Sequence, residues 1–206
     1  AHGFGQTRLV QVGMALDYSL AVAFWQETAA GLELVLVEGR PESFDLNGSP
    51  DWFRIDPPRV VQTMPAGSSP LTSGIAWSEG GDLVIGYAAS SWTSEGIGWQ
   101  STTTFECAVR PYGQELRTVE VDREIVIGRD PSVAVLGQGS TMRVFYAYEV
   151  ADGIKVATSA DGGATFPTSQ LCGGAGDYLP SVFARQRSAA VQVDLLYLAN
   201  AACGTE

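Results

Sequence analysis

Short apolar runs alternate with polar turns along the whole chain. The runs are strand-length and rich in Val, Ile, Tyr and Phe, and clusters of Gly, Asp, Ser and Pro separate them. This pattern is typical of β-strands joined by tight turns. An amphipathic helix requires apolar positions three and four residues apart over several turns, and no stretch of the chain shows that spacing convincingly. The predicted class is therefore all-β.

Four segments of the chain resemble one another. Each has a short apolar strand, a polar turn and a longer strand ending in an aromatic residue; these aromatic residues are Phe24, Tyr87, Tyr146 and Tyr197. The segments recur at intervals of roughly fifty to sixty residues, and four short strands at such a period are typical of β-propeller blades. We expect one propeller-like domain over residues 1–206, with about three and a half four-stranded blades. The predicted repeats are roughly 8–65, 66–124, 125–175 and an incomplete 176–206.

The third repeat contains the most regular motif, SADGGATF at residues 159–166. A short carboxylate at Asp161 can accept backbone N–H groups, and the glycines allow positive φ angles. The stretch resembles the Asp-box (BNR) repeat of sialidase-like β-propellers, with Ser159, Asp161, Gly163, Thr165 and Phe166 at the motif positions. The resemblance implies a structural fastening on an outer hairpin, away from the central axis where ligands bind. The corresponding stretches from Val35 and Ala108 lack the Asp.

The resemblance also implies which residues catalysis would need. Sialidase-like enzymes use three arginines for a carboxylate, a Tyr–Glu nucleophile and an Asp acid/base. The fragment FRID at residues 53–56 resembles the element with the first arginine and makes Arg54 the candidate, although Asp56 replaces the family's proline. Tyr148 and Glu149 are adjacent on a strand and face opposite sides, so the Tyr–Glu pair is not assigned.

Three further groups are weaker candidates for binding. Trp92 and Trp99 can either stack on a sugar ring or pack between blades. The oxygen-bearing side chains Asp45, Asn47 and Asp51 offer a calcium site, without the spacing of an EF-hand. No other cofactor is expected. The single histidine in the sequence excludes a His-based catalytic triad within this chain.

The three cysteines lack the CxxC spacing of a zinc site and permit one disulfide. Cys172 and Cys203 flank the last half-repeat and are the predicted pair. Cys107 is then either a buried thiol or a bridge to another chain.

Composition limits the partners and the compartment. The net charge of −11 opposes binding to nucleic acid. A charged fraction of 17%, 24 glycines and few lysines favour a secreted, extracellular or periplasmic protein. No apolar run reaches the roughly 18 residues of a membrane span.

The incomplete fourth repeat leaves two architectures open. The chain forms either a small, irregular four-bladed ring, to which the N-terminal strand contributes, or part of a larger propeller that a second chain completes. We expect the second. The expected function is a non-catalytic recognition module that binds glycan or protein through the loop face. The alternatives are a sialidase-like glycoside hydrolase with part of its site elsewhere, and a structural subunit of a larger assembly.

Overall fold

The computed structural model describes residues 7–29, 31–71, 74–95, 98–125, 131–172, 174–175, 178–187 and 190–198. These residues form sixteen β-strands and one short 3-10 turn, Gly139–Thr141, which confirms the all-β class. All strand pairs are antiparallel and belong to four sheets. The described part of the chain has no helix with the length and apolar character to cross a membrane.

The first sheet contains β1 (Thr7–Met14), β2 (Leu20–Thr28), β3 (Gly31–Phe44), β4 (Pro50–Ile55) and β5 (Arg59–Met64). The strand order is β1-β2-β3-β4, and β5 also pairs with β3. The first half of the long strand β3 pairs with β5 and its second half with β4. These two short strands therefore share one edge position, which Pro57 and Pro58 interrupt because proline has no N–H to donate.

The second sheet contains β6 (Ser69–Pro70), β7 (Gly74–Trp77), β8 (Leu83–Glu95), β9 (Gly98–Arg110) and β10 (Arg117–Glu124). Its order is β10-β9-β8-β6, with β7 also on β8. The third sheet has the order β11 (Ser132–Leu136), β12 (Arg143–Val150), β13 (Gly153–Ser159) and β14 (Thr168–Cys172). The fourth is the hairpin of β15 (Tyr178–Arg187) and β16 (Ala190–Leu198).

The apolar cores lie between successive sheets. The first core contains alternate residues of β2, β3 and β8, among them Ala23, Trp25, Leu34, Leu36, Leu83 and Ile85. The second joins β8 and β9 to β12, with Val84, Phe105, Val109, Val144, Tyr146 and Tyr148. Because β8 contributes its odd residues to one core and its even residues to the other, its apolar run is continuous rather than alternating. The third core, around Phe145 and Val182, joins the last two sheets.

One strand from each sheet lies next to a strand of the following sheet. β1 contacts β7, β7 contacts β11, and β11 contacts β15. Gly86 of β8 allows β11 to approach the second sheet closely, because an added Cβ would lie 2.3 Å from a methyl carbon of Val133. The strands of each sheet are consecutive in the chain, and the fourth sheet has two described strands. Four antiparallel sheets are thus established, and their arrangement as a propeller stays a prediction.

One expectation about strands, and one alternative, differ from the structure. The stretch from Val35, expected to contain the outer turn of the first repeat, lies wholly within β3, and the turn follows it at residues 45–49. Leu32, Leu34 and Leu36 all face the core, so the strand does not turn there. The turn forms later, where the Asp45 side chain accepts a backbone N–H group. The N-terminal strand, considered as a contributor to the last blade, pairs with β2 in the first sheet.

Candidate functional site

A cleft of about 680 Å³ opens between the first and second sheets. Its walls come from β3 and the start of β5 on one side, and from the ends of β7 and β9 on the other. The turns after β1, β7 and β9 complete its rim. Its volume is in the range of small-molecule sites, which favour clefts with a few convergent polar groups.

Glu38 occupies the floor of this cleft because of its position in β3. Leu32, Leu34 and Leu36 point into the first core, and side chains two residues apart on a strand share a face. Glu38 is the next residue of that row, so a carboxylate ends an apolar stripe and is only 8% exposed. A buried charge at a core-facing position needs partners.

Two arginines supply those partners. Arg59, the first residue of β5, donates from Nη2 to Glu38 Oε2 at 2.7 Å. Arg110, the last residue of β9, donates from Nη1 to Glu38 Oε1. Arg110 reaches the cleft because it follows Glu106 and Ala108 on the face of β9 that packs on the first sheet. Each Glu38 oxygen thus accepts from a different guanidinium group.

Trp77 supports the Arg110 side chain. In the second sheet, Trp77 pairs with Leu83, which in turn pairs with Arg110, so the three residues form one row across β7, β8 and β9. The Cζ atom of Arg110 lies 5.6 Å from the centre of the indole ring, within the range of a cation–π contact. The indole N–H lies against β1, since a Cβ added at Gly13 would be 3.3 Å from Nε1.

The cleft floor has more donors than acceptors. The Nε groups of Arg59 and Arg110 are buried and have no hydrogen-bond partner among the described residues. Two guanidinium groups contact one buried carboxylate, and the Arg59 side chain is 37% exposed whereas that of Arg110 is 12% exposed. Chemically, such a set is suited to hold an oxygen acceptor, above all a negatively charged one.

The rim is of mixed charge. Asp17, Asp56 and Glu115 line it together with Arg40 and Tyr112. Asp17 also accepts the Ser19 N–H at 2.9 Å, which holds the turn after β1. The carboxylates and the phenol can accept hydrogen bonds from the hydroxyl groups of a bound molecule.

A second buried carboxylate, Asp82, ends the turn between β7 and β8. Oδ2 accepts the Ser78 hydroxyl at 2.6 Å and the Gly139 N–H at 2.9 Å, while Oδ1 accepts the Tyr112 N–H at 2.8 Å. Burial opposes ionisation, but these hydrogen bonds together keep the pKa of Asp82 below its ordinary value. Asp82 therefore ties together three turns, two of which border the cleft.

The turn at 159–166 has the hydrogen bonds that its sequence predicts. Asp161 Oδ1 accepts the N–H groups of Ala164 and Thr165, each at 3.0 Å, and Oδ2 accepts the Thr165 hydroxyl at 2.7 Å. Ser159 donates to Asp161 and accepts from Gly163. The hydrogen bonds from Ser159 and Thr165 hold the pKa of Asp161 well below its ordinary value.

The same turn also contacts its neighbours. Phe166 packs against the second core, with its ring 6.5 Å from that of Tyr146. The Gly162 N–H donates to the Met142 carbonyl at 3.0 Å, and Arg117 of the second sheet donates to the Gly162 carbonyl at 3.0 Å. The turn fastens two sheets together, and its identity as an Asp-box stays a resemblance.

The other sequence candidates lie apart from the cleft floor. The Arg54 side chain is 70% exposed on β4 and has its Nε 3.7 Å from Asp56 Oδ1. Trp92 is 45% exposed on β8. The backbone of Trp99 lies in β9, and its side chain is outside the described part.

The calcium candidates belong to the turn between β3 and β4. Asp45 Oδ1 accepts the N–H groups of Asn47 and Ser49, each at 2.8 Å, so this oxygen already closes the turn. Asp51 is exposed at the start of β4. In the part of the chain that the structure describes, no three or more His, Cys, Asp or Glu side chains are grouped to hold a metal ion. Calcium at this turn stays a prediction without support from the geometry.

The cysteines separate into two cases. Cys107 is fully buried in the second core as a free thiol, and burial raises its pKa above the ordinary value. It is therefore the buried thiol of the two alternatives rather than a bridge to another chain. Cys172 lies at the end of β14, with its Sγ 3.7 Å from the Gln170 carbonyl oxygen. Cys203 lies outside the described residues, so the predicted disulfide stays a prediction.

Glu38, Arg59 and Arg110 are not predictable as a group from the sequence. One signal in the sequence could have pointed to Glu38 and Arg110. Each is a charged residue at a position where its strand, β3 or β9, otherwise places side chains toward the core. The contact between the two sheets could not be deduced from either strand alone.

In comparisons with known proteins, no family model matches the chain and no curated protein is similar to it in sequence.

Proposed function

We propose that this chain is a secreted, non-catalytic recognition module that binds a glycan or protein ligand in the cleft between its first two sheets. The observation that carries the proposal is the cleft floor, where Arg59 and Arg110 retain buried donors after pairing with Glu38. Charged groups that converge at the floor of a cleft can hold and orient a bound molecule.

We further propose that the sheets are blades of a β-propeller of the sialidase-like type. Support comes from three consecutive four-stranded meanders, in which β4 with β5 and β6 with β7 each fill one edge position. One strand of each, β1, β7 and β11, contacts that of the following sheet in sequence order. The resemblance of residues 159–166 to an Asp-box supports the sialidase-like family. The low charged fraction of 17% supports secretion.

Non-catalytic binding fits the chemistry of the cleft floor better than glycoside hydrolysis. Hydrolysis requires one carboxyl group that can donate a proton and a second that acts as nucleophile or base. Both oxygens of Glu38 already accept from guanidinium groups, and the candidate Arg54 lies exposed on β4. Hydrolysis of a fluorogenic sialoside by the purified chain would contradict this part of the proposal.

A glycan array tests the binding function. We expect the wild-type chain to bind a defined subset of glycans, and Arg59→Gln to weaken that binding. Arg54→Gln is the matched control, because it removes the same charge from an exposed position on the neighbouring strand. Trp92→Ala tests the alternative surface: if it abolishes binding while Arg59→Gln does not, the ligand binds outside the cleft.

A second candidate function is a structural subunit of a larger assembly. It is favoured by apolar residues exposed at both ends of the series of sheets, among them Val12 and Met14 on β1 and Phe183 and Leu196 on β15 and β16. Exposed apolar groups of this kind are common at protein interfaces. Sedimentation velocity tests it: a species well above 21.8 kDa supports assembly, and a monomer at micromolar concentration contradicts it.

A further inference from the structure

We propose that two aromatic rings at the rim of the cleft, those of Tyr112 and Phe44, form a stacking subsite for one sugar unit that carries no negative charge. The rings come from the two walls of the cleft. Phe44 is the last residue of β3 in the first sheet, and Tyr112 lies in the turn after β9 of the second sheet. This inference rests on the proposed function, because it names the class of ligand and the residues that recognise its apolar face.

Tyr112 presents an accessible ring on a fixed support. The residue lines the cleft and is 75% exposed. Its ring lies against Gly81, because a Cβ added there would be 3.0 Å from Tyr112 Cδ2. The Tyr112 N–H donates to Asp82 Oδ1 at 2.8 Å, and the Gln114 N–H donates to the Pro111 carbonyl at 2.9 Å across the turn. The backbone of Tyr112 is therefore held in place before a ligand arrives, while most of the residue stays open to contact.

Phe44 is held on the other wall by a second aromatic ring. It is 51% exposed, and its ring lies 6.2 Å from that of Tyr18 at an interplanar angle of 60°, an edge-to-face contact. Tyr18 has a φ angle of 63°, a conformation that favours glycine over a bulky side chain. The Tyr18 N–H donates to the Ala15 carbonyl at 3.1 Å, which holds the turn in this shape. The turn after β1 thus places a ring where backbone conformation alone favours glycine, and that ring orients Phe44.

The rim offers the two kinds of surface that a sugar unit needs. A pyranose ring has apolar C–H groups on its face and hydroxyl groups around its edge. The face can be buried on the ring of Tyr112 or Phe44. The hydroxyl groups can donate to the carboxylates of Asp17, Asp56 and Glu115, which line the same cleft.

The charges at the rim disfavour a negative unit. Four carboxylates and three arginines line the cleft, and Glu38, Arg59 and Arg110 bond to one another at its floor. The rim is left with three carboxylates and one arginine, Arg40. A negatively charged sugar stacked there would be repelled, and the net charge of −11 on the whole chain adds to the repulsion.

The shape of the cleft favours a sugar over a peptide. Proline-rich peptides also dock on exposed aromatic rings, but they lie extended in a groove. The space here is about 680 Å³, within the range of small-molecule sites, and two different sheets wall it. Such a cleft fits a short, compact ligand better than an extended chain.

Isothermal titration calorimetry with the full chain tests the subsite. The probes are the neutral oligosaccharides cellotetraose, mannotetraose and N-acetylated chitotetraose, the acidic tetragalacturonic acid, and a proline-rich peptide. We expect at least one neutral oligosaccharide to bind saturably and more tightly than the acidic one. Its affinity should change little between low and high salt, because stacking neutralises no charge.

Variants of the two rings separate stacking from other roles. Tyr112→Ala should weaken binding of the neutral oligosaccharide roughly tenfold, the effect of losing one aromatic contact. Tyr112→Phe keeps the ring and should bind like wild type. Phe44→Ala, on the other wall, should also weaken binding and gives a second test if Tyr112→Ala does not fold. Trp52→Ala is the matched control, because Trp52 is 72% exposed on β4 and lies outside the residues that line the cleft.

The inference is overturned if tetragalacturonic acid binds more tightly than every neutral probe, or if Tyr112→Ala and Phe44→Ala bind as tightly as Trp52→Ala. In either case a glycan whose binding Arg59→Gln weakens would leave the proposed function standing. Binding of the proline-rich peptide alone also overturns the inference, and the recognition function then stands with a protein ligand. If none of the probes binds, the inference fails, and a glycan array without a bound glycan would contradict glycan recognition as well.

Discussion

Glu38 and Asp82 are both buried carboxylates that border the same end of the second sheet, yet their surroundings differ. Asp82 accepts hydrogen bonds from one hydroxyl and two backbone N–H groups. All three donors are uncharged, and each donates its single hydrogen to Asp82. Glu38 accepts from two guanidinium groups, and each of those retains a buried Nε donor. Burial of a carboxylate therefore does not mark a site by itself. What distinguishes the cleft is the surplus of donors around the carboxylate.

The largest effect is expected from Asp82→Ala, which removes the acceptor for three donors in three different turns. We expect the free energy of unfolding to fall by about 3 kcal/mol, because buried N–H groups are left without partners. Urea denaturation measures the loss. Asp152→Ala in an exposed turn is the control. A loss no larger than that of the control would show that the three turns do not depend on Asp82.

Glu38→Gln should cost less than Asp82→Ala and should respond to anions. We expect a loss of about 2 kcal/mol, because the variant leaves two guanidinium groups without a counter-charge. Sulfate at constant ionic strength should recover part of this loss for Glu38→Gln and none for Asp82→Ala. Equal recovery in both variants would mean a general salt effect and would remove the proposed difference between the two carboxylates.

Asp161→Ala tests a carboxylate that is exposed rather than buried. We expect a loss of about 1 kcal/mol at neutral pH, comparable to loss of a helix cap, since two N–H groups and one hydroxyl lose their acceptor. These hydrogen bonds depress the pKa of Asp161. The stabilisation that Asp161 contributes is therefore present at pH values above the ordinary pKa of Asp and is lost as the pH falls through its lower pKa in the folded state. The stabilities of wild type and variant should therefore converge in acid. Parallel pH curves would contradict the assignment.

The smallest effect, of opposite sign, is expected from Glu106→Gln. Burial raises the pKa of Glu106, and its Oε2 has no partner among the described residues, so its charged form is disfavoured in the folded state. Gln at this position can still accept from Gln62. We expect a gain of a few tenths to about 1 kcal/mol at pH 7. The gain should vanish as pH falls to about 4, where Glu106 is neutral as well. A loss of stability at pH 7 would show that the charge is required.

The sequence predicts much of the fold because strand patterns are local. The run from Leu83 to Ala89 and the aromatic residues at Tyr87 and Tyr146 identify the central strands, and all of these residues are buried. The hydrogen bonds of Asp161 follow from turn chemistry, which involves neighbours in the sequence. The position of the first outer turn was predicted wrongly, since β3 is longer than its apolar run and continues through Arg40 and Pro41.

The candidate site is less predictable because it joins residues far apart in the chain. Glu38 and Arg110 are 72 residues apart, and their contact depends on the packing of two sheets. The family resemblance directed attention to Arg54, five residues before Arg59 on an adjacent short strand. Arg54 lies on β4 and Arg59 on β5. Pro57 and Pro58 separate these two short strands and so place the two arginines differently.

Hydrogen–deuterium exchange with and without a bound sugar tests the location of the ligand most directly. With a saturating concentration of a glycan that the array identifies, we predict slower exchange at residues 36–40, 59–61 and 108–114, which border the cleft. Residues 87–93, around Trp92, should be unchanged. Protection confined to the strand of Trp92, with none in the cleft, would contradict the central claim that the space between the first two sheets is the recognition site.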